Sequence, residues 1–184
     1  MKVKNSEEGF GLVSVFVHWI FAVAFIGLFG LGLYMVGLDY YDPWYTKTPW
    51  LHESIGVLLA AVLLWRIIWR LANIVPKPEE GLSKLEVVGA HLAHIALYVL
   101  PLAIVISGYL ITTADGRPIT VFNWGEVPAF LLPSKERADI AGLVHEYLAY
   151  GAMAIVFLHL GAALKHHFID KDGTLMRMLK PTSS

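Results

Sequence analysis

The chain has 184 residues, 57% of them hydrophobic and only 16% charged, with a mean hydropathy of +0.60 and a formal net charge of −1. That much apolar surface with so little charge excludes an ordinary soluble domain, and no basic excess points to nucleic acid as a partner. The absence of cysteine excludes disulfides, iron–sulfur ligation, thiolate zinc sites and thioether-linked haem.

Four stretches are long enough to cross about 30 Å of hydrocarbon, near residues 12–36, 51–73, 86–113 and 140–166. The first follows Lys2 and Lys4, as a cleaved signal sequence would. Its apolar run continues past Tyr34 with no small-x-small cleavage site, so a permanent helix is expected. A short outer loop at 37–50, rich in Asp, Tyr and Pro, leads to the second span. That span opens on His52 and ends on Arg66 and Arg70, which lie four apart and share a helix face. Arg66 is too deep to be a free surface charge.

Residues 74–85 form a polar inner connector with helix-stopping prolines. The third span begins with the pair His91 and His94. The longest loop, 114–139, contains Trp124, Pro128, Phe130 and Leu131, which suits a flap lying on the outer membrane face. The fourth span holds His145 and His159, with His166 and His167 at its end. There is no soluble domain, internal repeat or low-complexity tract. The expected fold is all-α, one domain over 1–184, an integral-membrane four-helix bundle in lipid.

An even number of spans puts both termini on one side. That side takes Lys2, Lys4, Arg66, Arg70, Lys77, Lys84, Lys165, Lys171, Arg177 and Lys180, ten of the fourteen basic residues. The other takes Lys47, Arg117, Lys135 and Arg137. The positive-inside rule makes the termini cytoplasmic. Trp44, Tyr45 and Trp50 fit an outer aromatic belt, and Trp65 and Trp69 an inner one.

Ionisable residues inside a membrane suggest function, and the histidines fall at matched depths. Fourteen residues separate His145 from His159, which is about 21 Å of helix and close to four whole turns. Both therefore leave one face, far apart along the axis. His18 lies about 9 Å from the inner end of its span, and His159 about 10 Å. His52 opens span two, and His145 lies about 8 Å from the outer end. Span four can thus supply one ligand to each of two sites, with spans one and two as partners. Two axial imidazoles close both faces of a haem and favour electron transfer over oxygen binding. Gly27, Gly30, Gly32, Gly56 and Gly151 offer room for the plates, and Arg66 and Arg70 suit haem propionates. His91 and His94 are open to a ligand role at the inner site, to propionate or quinone bonding, or to packing.

The segments VHWI around His18, LHESIGV around His52, WRIIWR ending at Arg70, GAHLAHIALYVLPL, VHEYLAYG around His145 and FLHLGAALKHHFIDKDG together resemble the bacterial cytochrome b561 family over nearly the whole chain. The resemblance implies two b haems, with His18 and His159 on the inner and His52 and His145 on the outer. It also implies His166 as a ubiquinone contact, able to move a proton during quinone reduction. Family members pass electrons between an outer, periplasmic-side donor and the quinone pool. One branch is a superoxide:ubiquinone oxidoreductase, whereas GRPITVFNWGEVP in the long loop suggests a different branch. A wider circle of similar subunits anchors hydrogenases and formate dehydrogenases. A membrane anchor of that kind is the alternative with the same chemistry, and a haem-free histidine transporter the alternative of another class. If Lys47, Arg117, Lys135 and Arg137 cluster at the outer haem edge, they should attract an anionic donor.

Overall fold

The computed structural model describes residues 1–79 and 81–182. Glu80, in the expected inner connector, and Ser183 and Ser184 lie outside the described residues. The class is the expected one: all-α, with four helices long and apolar enough to cross a membrane, as in an integral-membrane four-helix bundle. They are α1 (Leu12–Val36), α2 (Lys47–Ala72), α3 (Lys84–Thr112) and α4 (Lys135–Lys165). A π-helical turn, His166–Asp170, continues α4, and a four-residue helix, α5 (Met176–Leu179), follows.

Burial is inverted relative to a soluble protein. Phe16, Val23, Phe157 and Leu158 are exposed along the helices, while the near-fully buried side chains include Thr48, Ser54, Ser107 and Thr113. Apolar surface needs no burial when lipid is the solvent, and small polar residues let helices approach closely.

Helix α1 keeps its expected bounds, but the others start earlier. Helix α2 begins at Lys47, which puts His52 inside the helix. Pro49 is accommodated because its missing N–H falls in the first turn. Helix α3 opens with a capping box. The Ser83 hydroxyl accepts from Glu86 N–H at 3.3 Å, and the Glu86 carboxylate accepts from Ser83 N–H at 2.9 Å. Helix α4 begins five residues early because Ser134 caps it, accepting from Arg137 N–H at 3.2 Å. The charged run Lys135–Asp139 had hidden that turn from a hydropathy reading.

The chain divides into two compact units. The terminal unit comprises Met1–Phe21, Val62–Val99 and Ala152–Ser184, and the loop unit Ala22–Ala61 and Leu100–Gly151. In the terminal unit the N-terminal segment, the connector and the tail are sewn together. Lys2 N–H donates to Thr182 O at 2.9 Å, Thr182 N–H to Phe10 O at 3.0 Å, and the Arg177 guanidinium to Lys77 O at 2.7 Å. In the loop unit the long connection forms an antiparallel hairpin, β1 (Ile119–Val121) with β2 (Gly125–Val127). Ser54 of α2 fastens it, donating to Thr120 O at 3.3 Å and accepting from Phe122 N–H at 3.1 Å.

Candidate functional site

Each unit brings two of the candidate histidines together. In the terminal unit, His18 of α1 and His159 of α4 face each other with ring centroids 6.4 Å apart. In the loop unit, His52 of α2 and His145 of α4 do so at 6.2 Å. A metal–imidazole bond of about 2 Å, with about 1.1 Å from nitrogen to ring centre, separates two rings on opposite sides of one metal ion by roughly 6.2 Å. Both pairs fit one iron between them.

His94 also reaches the terminal cluster, but its ring lies 5.4 Å from that of His159, shorter than a linear nitrogen–metal–nitrogen arrangement gives. His91, three residues away, is exposed. The pair left open by the sequence is thus divided: His94 packs against the histidine cluster, and His91 faces outward.

The loop-unit pair has the surroundings expected of metal-binding imidazoles. His145 Nδ1 lies 3.0 Å from Ile104 O, and the Ser107 hydroxyl is 3.2 Å away. A ring that donates Nδ1–H to a carbonyl presents a bare Nε2, the tautomer a metal requires. His52 is likewise buried, with the backbone of Leu28 as its hydrogen-bonding neighbour. Two glycines abut the rings. A Cβ on Gly32 would come 3.5 Å from His52 Cε1, and one on Gly108 would come 3.2 Å from His145 Cε1. Of the glycines singled out in the sequence only Gly32 touches a histidine, while Gly27, Gly30, Gly56 and Gly151 face open space.

In the terminal unit the arginines stand on aromatic rings. Arg66 Cζ lies 4.7 Å from the Phe21 ring centre and 5.2 Å from that of Tyr98, and Arg70 Cζ lies 5.6 Å from Tyr98. Arg66 Nη2 is 3.4 Å from His18 Nδ1, a long contact. Arginine only donates, so this contact needs an unprotonated Nδ1. With Nε2 ligating and Nδ1 protonated, the guanidinium is released to an anion such as a carboxylate. Tyr98 was not anticipated, although its spacing of four from His94 in HIALY puts both on one helix face.

At the end of α4, His166 is half-buried among carboxylates. Its Nδ1 lies 2.8 Å from Asp172 Oδ2 and 3.0 Å from Asp170 Oδ2. Lys165 joins Glu86 of α3 at 2.7 Å and Asp170 at 2.8 Å. Glu86, His166 and Asp170 have metal-ligand proximity, but the Lys165 ammonium already supplies the cation there. Nothing in the sequence pointed to Asp172. It reaches His166 only because Lys171 adopts a left-handed conformation, φ +57°. Burial pushes the Asp172 carboxyl up, but the Thr174 N–H and His166 outweigh it and hold it below the usual range.

The basic residues of the loop unit are largely engaged. Arg117 pairs with Asp115 at 2.5 Å and holds its carboxyl below the usual range. Arg137 donates to Leu132 O and Thr113 O, and Lys47 lies over the Trp44 ring. A pocket of about 1120 Å³ in this unit is lined by Trp50, Glu53, Arg117, Glu126 and Lys135 among others. It is not the cationic funnel that an anionic donor would need.

A four-span membrane protein with two facing histidine pairs defines a class: membrane cytochromes with non-covalent haem. The family model for prokaryotic cytochrome b561 matches residues 9–181. Cytochrome b561 homolog 2 of Escherichia coli K12 is 48% identical over 100% of this chain and 98% of its own. Cytochrome b561 homolog 1 of the same organism is 27% identical over 92% and 96%. The probable superoxide oxidase CybB of Yersinia pestis is 29% identical over 94% and 97%. The chain belongs to the prokaryotic cytochrome b561 family. It is a bacterial inner-membrane electron-transfer cytochrome that carries haem b.

Proposed function

We propose that the chain binds two b haems and carries electrons from a periplasmic-side donor to the quinone pool. His18 and His159 would hold one haem in the terminal unit, and His52 and His145 the other in the loop unit. The observation that carries this reading is the pair of ring separations, 6.4 and 6.2 Å, each suited to one bis-imidazole iron. When bound, each haem would supply a one-electron carrier.

The chain's own residues do the rest. Ile104 O and Ser107 fix the His145 tautomer. Arg66 and Arg70, backed by Tyr98, offer positive charge to propionates. Glycines at 32 and 108 keep bulk away from the loop-unit rings. His166 contacts ubiquinone and gives it protons. The donor is left to the loop unit, where eight acidic residues outnumber four basic ones and Arg117 is paired with Asp115. That favours a neutral or cationic donor over superoxide.

The test begins with haem content. Purified protein should hold two haems per chain with bis-imidazole spectra. His159→Ala should lose the terminal-unit haem and keep the other, and His145→Ala should do the reverse. Wild-type protein reduced in a stopped-flow cell should reoxidise on adding ubiquinone. Loss of a haem in His94→Ala but not in His18→Ala would overturn the pairing. A colourless protein from haem-replete cells would overturn the reading altogether.

A further inference from the structure

The π-helical turn and the left-handed Lys171 fold the chain back so that Asp172 meets the ring of His166. Lys171 N–H and Asp172 N–H both donate to His166 O, the second at 3.1 Å. Thr174 N–H, at 2.8 Å, holds Asp172 Oδ1, leaving Oδ2 for His166 Nδ1 at 2.8 Å. Asp170 Oδ2 also lies near Nδ1, but it is shared with Lys165, which in turn binds Glu86. Asp172 has no such competitor among the described residues. The His166 and Asp172 side chains are only 12% and 17% exposed. His166 Nε2 has no hydrogen-bond partner among the described residues.

We infer that Asp172 is a positioning residue for proton delivery to quinone, holding His166 with a proton on Nδ1 so that Nε2 is the atom that gives and regains the exchangeable proton. The inference rests on the proposed reading in which His166 contacts ubiquinone.

An ionised carboxylate only accepts, so at 2.8 Å it selects Nδ1–H and stabilises the imidazolium, the part an aspartate plays beside a catalytic histidine. For each electron that a bound haem would supply to ubiquinone, the Nε2–H bond breaks and a quinone O–H bond forms. The ring is left neutral with Nδ1–H still on Asp172. A proton taken up from the aqueous phase then returns to Nε2. Two such turns give the quinol. Without Asp172 only the Asp170 oxygen already engaged by Lys165 faces Nδ1, so part of the neutral ring carries its proton on Nε2, and that fraction has no acceptor site there.

The experiment uses full-length, haem-loaded protein labelled with ¹⁵N at histidine, with the His166 signals assigned by their loss in His166→Ala. At a pH where the ring is neutral, wild type should show the proton on Nδ1. Asp172→Asn keeps the shape and can still accept from Thr174 N–H, yet should move proton population to Nε2. Ubiquinone-linked reoxidation should fall about ten- to a hundredfold in this variant, with haem content and dithionite reduction unchanged. Asp172→Glu should recover most of the rate. A wild-type tautomer signal in Asp172→Asn, or an unchanged reoxidation rate, would overturn the inference. The tautomer readout involves no quinone. If the tautomer shifts but His166→Ala reoxidises normally, the quinone reading of His166 fails and the role of Asp172 fails with it.

Discussion

Gly108 decides how closely α3 can approach the ring of His145. A methyl group there would stand 3.2 Å from Cε1 and 3.4 Å from Nδ1, tighter than ordinary contact, and the ring is pinned through Nδ1 to Ile104 O. Gly108→Val should therefore tilt or displace the imidazole. The expected outcome is loss or a spectral shift of the loop-unit haem alone, read from haem content and low-temperature α bands, with the terminal-unit haem unchanged. The sequence exposed the four histidines through depth in the span. Gly108 was one glycine among many in apolar helices and carried no signal of its own. Tyr98 carried one in its spacing from His94, which the histidine pair itself overshadowed.

At the scale of elements, hydropathy found the apolar middles and missed the polar ends. The capping box at Ser83–Glu86 and the cap at Ser134 start α3 and α4 in charged sequence. The hairpin at 119–127 depends on Ser54, sixty-six residues from Thr120, a pairing no local pattern contains. The fold-back after α4 is of the same kind, and its stability should depend on pH. Asp172 sits below the usual carboxylate range in the folded chain, so its contribution is fully present above the unfolded value of about 3.9 and is lost as pH falls through the lower folded value. Hydrogen exchange at residues 171–175 should stay slow down to about pH 4 and accelerate below it. In Asp172→Ala, which loses the acceptor for Thr174 N–H as well as the His166 contact, the same amides should exchange fast already at pH 7, with those of the α4 interior unchanged. Equal exchange in both proteins would mean that the turn is held by its backbone bonds alone.

For the whole molecule the charge division of the sequence coincides with the two compact units. The terminal unit contains all ten of Lys2, Lys4, Arg66, Arg70, Lys77, Lys84, Lys165, Lys171, Arg177 and Lys180 against seven acidic residues. The loop unit contains four basic and eight acidic residues. By the positive-inside rule the termini should face the cytoplasm. A reporter fused to the C-terminus should be active there and one inserted at Gly116 active in the periplasm, and the opposite pattern would reverse the direction proposed for electron flow. The same division sets the sign of the salt effect on electron entry. Counting basic residues on the outer side suggests attraction of an anionic donor, but Arg117 is neutralised by Asp115, and the unit's acidic residues outnumber its basic ones eight to four. The excess acidic charge then repels anions at low ionic strength. Salt shortens the reach of that field, to about 10 Å at 0.1 M. Haem reduction by a small anionic donor should therefore speed up as salt rises, and reduction by a cationic donor should slow, each measured by stopped flow with the donor in excess. A rate for the anionic donor that falls with salt would locate a positive entry site on this unit, most simply around Lys135, and would restore superoxide as a candidate substrate.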